Sequence, residues 1–277
     1  MTDRPLVSIC IPVYNGCDFI GQAIESALAQ TYENIEVVVL DNASTDDTLA
    51  VVSGFDDVRL RVERNEITTG AGENWNRALN AAGAEFVKLL SADDYLYPTC
   101  VAQQIEGFLV GGERVALVCS PRDIVDSTGR RLMTRGLRRA GLMPGAKARR
   151  EVVRSGTNPI GETASALMRA RVARDVGGFD ESDPYTIDID LWLRMLSVGD
   201  LWVVAQPLSA YRVSGGSWSV AVAHTQAEQY RAMLDSLHSA PNSDVGDLDV
   251  LLGRALATVN RLGRRIVYAM QRHDGAT

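Results

Sequence analysis

Ile35-Glu36-Val37-Val38-Val39-Leu40-Asp41-Asn42 is an apolar run, broken only by Glu36, that ends on two polar residues. A strand reads as nearly continuous, not alternating, when helices cover both faces of its sheet. Outward from this run the hydrophobic period switches between two and 3.6, which predicts strands alternating with helices and a mainly parallel α/β sheet. Upstream, residues 7–12 form a strand. Residues 19–30 form a helix with Ile20, Ala23, Ile24, Ala27 and Leu28 on one face. Downstream, Ser44 or Thr45 is expected to cap a helix carrying Asp46 and Asp47 in its first turn, where the helix dipole favours acids. Strands over 58–63 and 85–90 enclose a helix over 73–82. Pro98 then opens another helix at its first turn, and residues 115–120 give a further strand.

The second half changes character. Residues 122–154 hold ten basic residues against three acids, Asp123, Asp126 and Glu151. This island reads as a flap near a diphosphate, a surface for anionic lipid or a lipid-linked acceptor, or a solvated insertion. A strand is expected over 164–168, a helix or strand-to-helix junction over 187–198, and a strand over 201–205. From Thr225 the pattern is helical to the end, with Gly246 and Gly253 as weak points and Arg254, Arg261, Arg264 and Arg265 giving a basic face.

With 277 residues, 46% hydrophobic and 23% charged, the chain has the composition of an ordinary globular protein. Its formal charge of −7 argues against a general nucleic-acid binder. Cys10, Cys17, Cys100 and Cys119 form no C-x-x-C pair and are expected to be free thiols, which fits a reducing cytoplasm. The N-terminus lacks the pattern of a signal peptide, and no run reaches the roughly 18 apolar residues that span a bilayer. These features predict a soluble cytoplasmic protein, at most peripheral to a membrane through its basic segments.

In open α/β sheets, ligands bind at the carboxyl ends of the strands. Tyr14-Asn15, Asp41-Asn42, Asn65 and Ser91-Ala92-Asp93-Asp94 all fall at such ends. Tyr14 offers an aromatic face to a base, Asp41 offers acceptors to base or ribose, and Asp93 suits a hard divalent cation such as Mg²⁺ or Mn²⁺. Such an ion neutralises the charge that develops on a leaving diphosphate. Asp94 reads as a cap for the helix near Pro98. Trp75 and Leu79 read as core, with Asn74 and Asn76 beside them as possible nucleotide contacts. Arg212 is a diphosphate clamp or a structural ion-pair member. No G-x-G-x-x-G follows the first strand, and Tyr14-Asn-Gly-Cys-Asp18 holds no Lys or Arg, which disfavours dinucleotide oxidoreductases and nucleotidyltransferases. A glycosidase uses two carboxylates but has no need of this first half.

The stretches VSICIPVYNG, IESALAQTYENIEVVVLDNASTDDT, NWNRALNAAGAEFVKLLSADDYLYP, VGGFDES, DIDLWLRM and PLSAYRVSGGSWS together resemble the family 2 glycosyltransferases, over about residues 6–219. The resemblance implies a GT-A (Rossmann-like) fold, and the helical pattern beyond it adds a C-terminal helical extension. It also implies inverting transfer of a hexosyl or deoxyhexosyl group from a UDP- or dTDP-type sugar to the hydroxyl of a glycan, lipid-linked or small-molecule acceptor. On that basis residues 1–220 are the transferase domain, with a nucleotide half of about 1–120 and an acceptor half of about 121–220. Residues 221–277 are the extension.

Carried over position by position, Pro12, Tyr14 and Asn15 line the nucleotide pocket and Asp41 contacts the base. Ser91-Ala92-Asp93 takes the place of the D-x-D motif, with Asp93 as metal ligand. Asp188, in Ile187-Asp188-Ile189-Asp190-Leu191, becomes the general base. Glu162 meets acceptor or sugar hydroxyls, and Asp190 orients the acceptor or Arg194. The chain departs from the family pattern at Ser91, at Ile187 and at Ser214, where relatives carry Asp, Glu and His. His224 is a candidate to replace that last contact. These departures leave a second reading, a sugar-nucleotide-binding protein of the same fold with impaired catalysis.

Overall fold

The computed structural model describes residues 4–213, 225–241 and 243–274, the last of these ranges with side chains through residue 260. The first part of the chain runs β1 (Val7–Val13), α1 (Ile20–Leu28), β2 (Ile35–Asp41), α2 (Thr48–Val52), β3 (Leu60–Arg64), α3 (Ala71–Ala81), β4 (Phe86–Leu89), β5 (Tyr95–Leu96), α4 (Cys100–Gly111) and β6 (Val115–Cys119). It continues with β7 (Arg122–Val125), β8 (Arg131–Arg135), β9 (Gly141–Met143), α5 (Gly145–Ser155), β10 (Ala166–Arg169), α6 (Ala170–Asp175), α7 (Ile187–Val198), β11 (Asp200–Val203) and β12 (Ser209–Arg212). Among the described residues two helices follow, α8 (Gln226–Ser239) and α9 (Asp247–Asp274).

An eight-stranded sheet has the order β3-β2-β1-β4-β10-β6-β11-β9. Neighbours are parallel except where β10 meets β4 and β6 and where β9 meets β11. The continuous apolar strands are explained by cover on both faces. Val37 and Val39 pack with Ile9, Ile11 and the helices α1 and α4, whereas Val38 and Leu40 pack with Cys10 and the side that holds α3, α5 and α7. A second sheet, β5-β12-β7-β8, sits where the chain leaves β4 and β6.

Several local expectations change. The strand expected over 58–63 begins at Leu60, because Val58 is fully exposed. The helix after β2 is a five-residue turn, α2, and neither Ser44 nor Thr45 caps it: both are drawn toward Asn15. Pro98 stands before α4, whose N-cap is Thr99, and Asp94 does not serve as a cap there. The basic island is not a solvated insertion, since it supplies β7, β8, β9 and α5. Arg122 is buried, Arg149 pairs with Asp244 and Arg154 with Asp249. Residues 187–198 are a helix throughout.

Gly246 lies just before α9, but Gly253 lies within that helix as a point of contact, where an added Cβ would meet the Val153 carbonyl oxygen at 2.4 Å. Cys10, Cys17, Cys100 and Cys119 are all free thiols, and only Cys17 is not buried. Among the described residues no helix is long and apolar enough to cross a membrane.

Candidate active site

The loops after β1 and β2 hold each other. Asn15 and Ala43 both take left-handed backbone angles (φ 50° and 58°), uncommon for residues other than glycine and frequent at functional sites. The Asn15 amide donates to Ser44 Oγ at 2.9 Å, and the Thr45 amide donates to Asn15 Oδ1 at 2.8 Å. Pro12 is buried near the end of β1, and Tyr14 projects with 52% of its surface exposed. Asp41 is fully buried; its carboxylate accepts from the Ser44 amide and pairs with Arg64 at 3.2 Å. Asn65 Nδ2 donates to Asn42 Oδ1 and to Asn74 Oδ1, so Asn74 belongs to a buried amide network. Asn76 is bonded to the Phe179 backbone, and Trp75 packs edge-on to the Phe179 ring. A cavity of about 480 Å³ is bounded by Arg64, Asn65 and Glu66.

At the end of β4, Ser91, Ala92 and Asp93 are half-buried and Asp94 is buried. Burial pushes the Asp93 carboxyl above the usual carboxylate range. Asp94 goes well above it, through burial first and then the neighbouring Asp93. Asp94 Oδ1 accepts from the Arg212 amide, while its buried Oδ2 has no protein partner. Arg212 is 2% exposed, and its guanidinium donates to the Asp93, Asp126 and Ser127 carbonyls and to Gln22 Oε1. It also lies over the Phe19 ring at 4.4 Å. Arg212 thereby holds the Asp93 backbone carbonyl, through a set of bonds to the chain's own oxygens.

On the opposite side, Asp188 stands in the first turn of α7, where acids are favourable. Asn158 Nδ2 donates to its Oδ2 at 2.9 Å, and the Ile189 amide donates to Oδ1 at 2.7 Å. Burial, followed by the negative charge of Glu162, raises its carboxyl to about 7. Ile187, standing where relatives carry Glu, is itself buried. Glu162 raises Asp94 as well, so it faces both halves of the site, and it is held bidentate by buried Arg122 at 2.6 and 3.0 Å. Asp190 points elsewhere, into an i,i+4 pair with Arg194 at 2.6 Å. Of its two expected roles the fold shows the orientation of Arg194.

Three further residues, Arg122, Asn158 and Lys88, belong to the site or brace it. Arg122 stands in the basic island of the sequence, yet its Nη1 is buried without a partner beside Glu162. Asn158 gave no cue beyond its place before Pro159. Lys88 carried a usable one: a single cation inside the apolar run Phe86-Val87-Lys88-Leu89-Leu90 has to be satisfied locally. Ser214 and His224 lie outside the described residues. Among the described residues no group of three or more His, Cys, Asp or Glu is placed to hold a metal ion.

This architecture is shared with solved structures. S. aureus TarS 1–349 in complex with UDP-GlcNAc superposes with a TM-score of 0.69 at 18% identity, over 92% of this chain and 72% of that one. The mannosyltransferase PcManGT of Pyrobaculum calidifontis, in complex with GDP-Man and Mn²⁺, gives 0.66 at 19% identity over 99% and 81%. The fold is thus the GT-A fold, a large, mostly parallel sheet flanked by helices. Residues 8–177 match Glycosyl transferase family 2, and the chain belongs to that family. An uncharacterized glycosyltransferase of Rickettsia typhi is 29% identical over 84% of this chain and 71% of its own length. A Rickettsia felis relative is 33% identical over 71% of this chain, which spans only 32% of that protein. The Escherichia coli UDP-Glc:alpha-D-GlcNAc-diphosphoundecaprenol beta-1,3-glucosyltransferase WfaP is 41% identical over 36% of this chain and 40% of its own.

Proposed function

We propose that the chain transfers a sugar, with inversion, from a UDP- or dTDP-type nucleotide-diphosphate donor to an acceptor hydroxyl, with Asp188 as general base. The observation that carries this reading is the Asp188 carboxyl. It is oriented by Asn158 and the Ile189 amide and raised to about 7, where a base is half-ionised at working pH. Asp188 takes the acceptor proton as the hydroxyl oxygen attacks the anomeric carbon; the bond from that carbon to the β-phosphate oxygen breaks, and the electron pair leaves with the nucleoside diphosphate. Asp41 and the Asn15–Ser44 loop receive the base and ribose, and Asp93 faces the diphosphate.

The donor chemistry near Asp93 suits Mg²⁺ or Mn²⁺: a carboxylate at the strand end, with the orphaned Asp94 oxygen beside it. Hard cations of this size are commonly held by one or two carboxylates together with substrate phosphates and water. Asp93 would be the protein ligand, and the ion would supply positive charge to the leaving group. The Mn²⁺ bound with GDP-Man in PcManGT supports the same choice.

The reading is tested by two substitutions. Asp93→Ala is expected to weaken donor affinity in the presence of Mn²⁺ and abolish transfer, measured by calorimetry and product formation. Asp188→Asn is expected to keep donor affinity and lower kcat by about 10²–10⁴. Full transfer by Asp188→Asn would remove the base assignment. Donor binding without turnover in the unsubstituted chain would instead favour a binding protein.

A further inference from the structure

Between α5 and the 3₁₀ turn at Thr163–Ser165 the chain forms a short loop, residues 158–162, and the first residue of β7 holds it at both ends. Arg122 is 4% exposed. Its Nε and Nη2 donate to the two oxygens of Glu162 at 2.6 and 3.0 Å, and Nη2 also donates to the Asn158 carbonyl at 3.2 Å. A planar guanidinium fork fixes the direction of what it grips as well as the distance. Asn158, anchored in this way, uses its side chain on two sides. Oδ1 accepts from the Gly161 amide at 2.9 Å, and Nδ2 donates to the Gly161 carbonyl and to Asp188 Oδ2, both at 2.9 Å. Trp192, one turn beyond Asp188 on α7, donates from Nε1 to the same Gly161 carbonyl at 3.0 Å. The loop therefore ties Arg122 to the helix that carries the candidate base.

Two carboxylates stand on this side of the site in different settings. Glu162 has both oxygens in the fork, whereas Asp188 accepts only from neutral donors, Asn158 and the Ile189 amide. A proton taken up by Asp188 strands no counter-charge. The same proton on Glu162 would leave the buried guanidinium unpaired, which is strongly unfavourable. We infer that Arg122 is a positioning residue for the reaction, which keeps Glu162 out of the base's role and aims Asp188 into it through Asn158; this rests on the reading of Asp188 as the base. Charge acts along the same lines. Among the described residues, the charged groups that bear on Asp188 are Glu162 and Arg122: burial and then Glu162 raise its carboxyl, and Arg122 lowers it. Asp190 on the same helix is turned into its pair with Arg194. Loss of Arg122 alone leaves Asp188 beside an uncompensated Glu162, loss of Glu162 alone beside an uncompensated Arg122, and loss of both cancels.

The test reads the carboxyl directly, in the full chain without substrate. The ¹³C resonance of Asp188, identified as the one absent from Asp188→Asn, is followed against pH in a chain labelled at its aspartate carboxyl carbons. The midpoint of the unsubstituted chain is expected at about 7. Arg122→Met should move it up by about one pH unit, and Glu162→Gln down by about as much. The Arg122→Met/Glu162→Gln chain, which buries no unpaired charge, should return close to the unsubstituted midpoint. Arg122→Lys keeps the charge without the fork, so Asp188 should titrate as in the unsubstituted chain while the Gly161 amide exchanges its hydrogen about tenfold faster. A midpoint shared by the unsubstituted chain, Arg122→Met and Glu162→Gln overturns the inference, as does a Gly161 amide equally protected in Arg122→Lys; either result leaves the base reading standing. That reading fails separately, by full transfer in Asp188→Asn.

Discussion

Each oxygen of the Asp188 carboxylate accepts one hydrogen bond, from Asn158 and from the Ile189 amide, so the group is aimed without being neutralised. Its pKa of about 7 arises from burial and then from Glu162. A base must be ionised to act, so transfer is expected to rise with pH, with log(kcat/KM) climbing at unit slope below about 7 and levelling above it. Stability runs the other way. The carboxyl holds its proton in the folded chain between its ordinary value near 4 and about 7, where the unfolded chain has released it, so folding is progressively disfavoured as pH rises through that window. Asp188→Asn removes this slope. Its melting temperature relative to the unsubstituted chain should be higher at pH 8 than at pH 5, a difference that a scanning fluorimetry series will read. Asp188 stands out in the sequence only through the family pattern it matches from the second position, since an acid pair opening a helix is by itself ordinary. Asn158 and Arg122 do not stand out, since each meets its partner across 30 and 40 residues of chain and neither stands in a patterned stretch.

Among the elements, β4 and β10 show where pattern reading stops. Both strands were expected from their apolar residues, and both are present, but their ladder is short: only Met168 and Arg169 pair, with Val87 and Phe86. Beyond Val87 the two strands part, and Lys88 fills the gap. Fully buried, it donates from Nζ to the Ala164 and Ala166 carbonyls at 2.9 and 2.8 Å. Burial lowers its pKa. The segment it holds follows Glu162 directly, so a charge in the sheet interior fixes a loop of the site. Lys88→Met keeps the volume and removes the donors, leaving two buried carbonyls unsatisfied at about 1–3 kcal/mol each. Urea unfolding should show a loss of about 2–6 kcal/mol. A midpoint unchanged from that of the unsubstituted chain would mean that other groups satisfy these carbonyls. The alternation of strands and helices was readable because burial on two faces leaves a compositional trace. The second sheet was not, because β5 has two residues and β8 carries mainly exposed side chains.

At the scale of the whole molecule, the C-terminal helices close the end of α5. The last turn of any helix leaves carbonyls without intrahelical partners. Here Tyr230 Oη donates to the Val152 and Val153 carbonyls, and Asn260 Nδ2 donates to those of Ser155 and Gly156. The approach is close enough to require glycine twice. Gly156 ends α5 at φ +63°, where an added Cβ would meet the Ala257 amide nitrogen at 2.3 Å, and Gly253 faces the Val153 carbonyl. α5 packs in turn against α7, the helix that begins with Asp188. Gly253→Val is therefore expected to push α9 off α5 and expose the α5 carbonyls. At an overpacking cost of about 1–3 kcal/mol, the melting temperature should fall by roughly 2–10 °C. Hydrogen exchange locates the effect: faster exchange over α5, α8 and α9, with β1, β2 and β3 unchanged. Donor affinity should hold, because α9 packs on α5 and α8, while kcat should drop as the base of α7 is loosened. If kcat and exchange in α5 both stay as they are in the unsubstituted chain, the C-terminal helices do not support the acceptor side of the site.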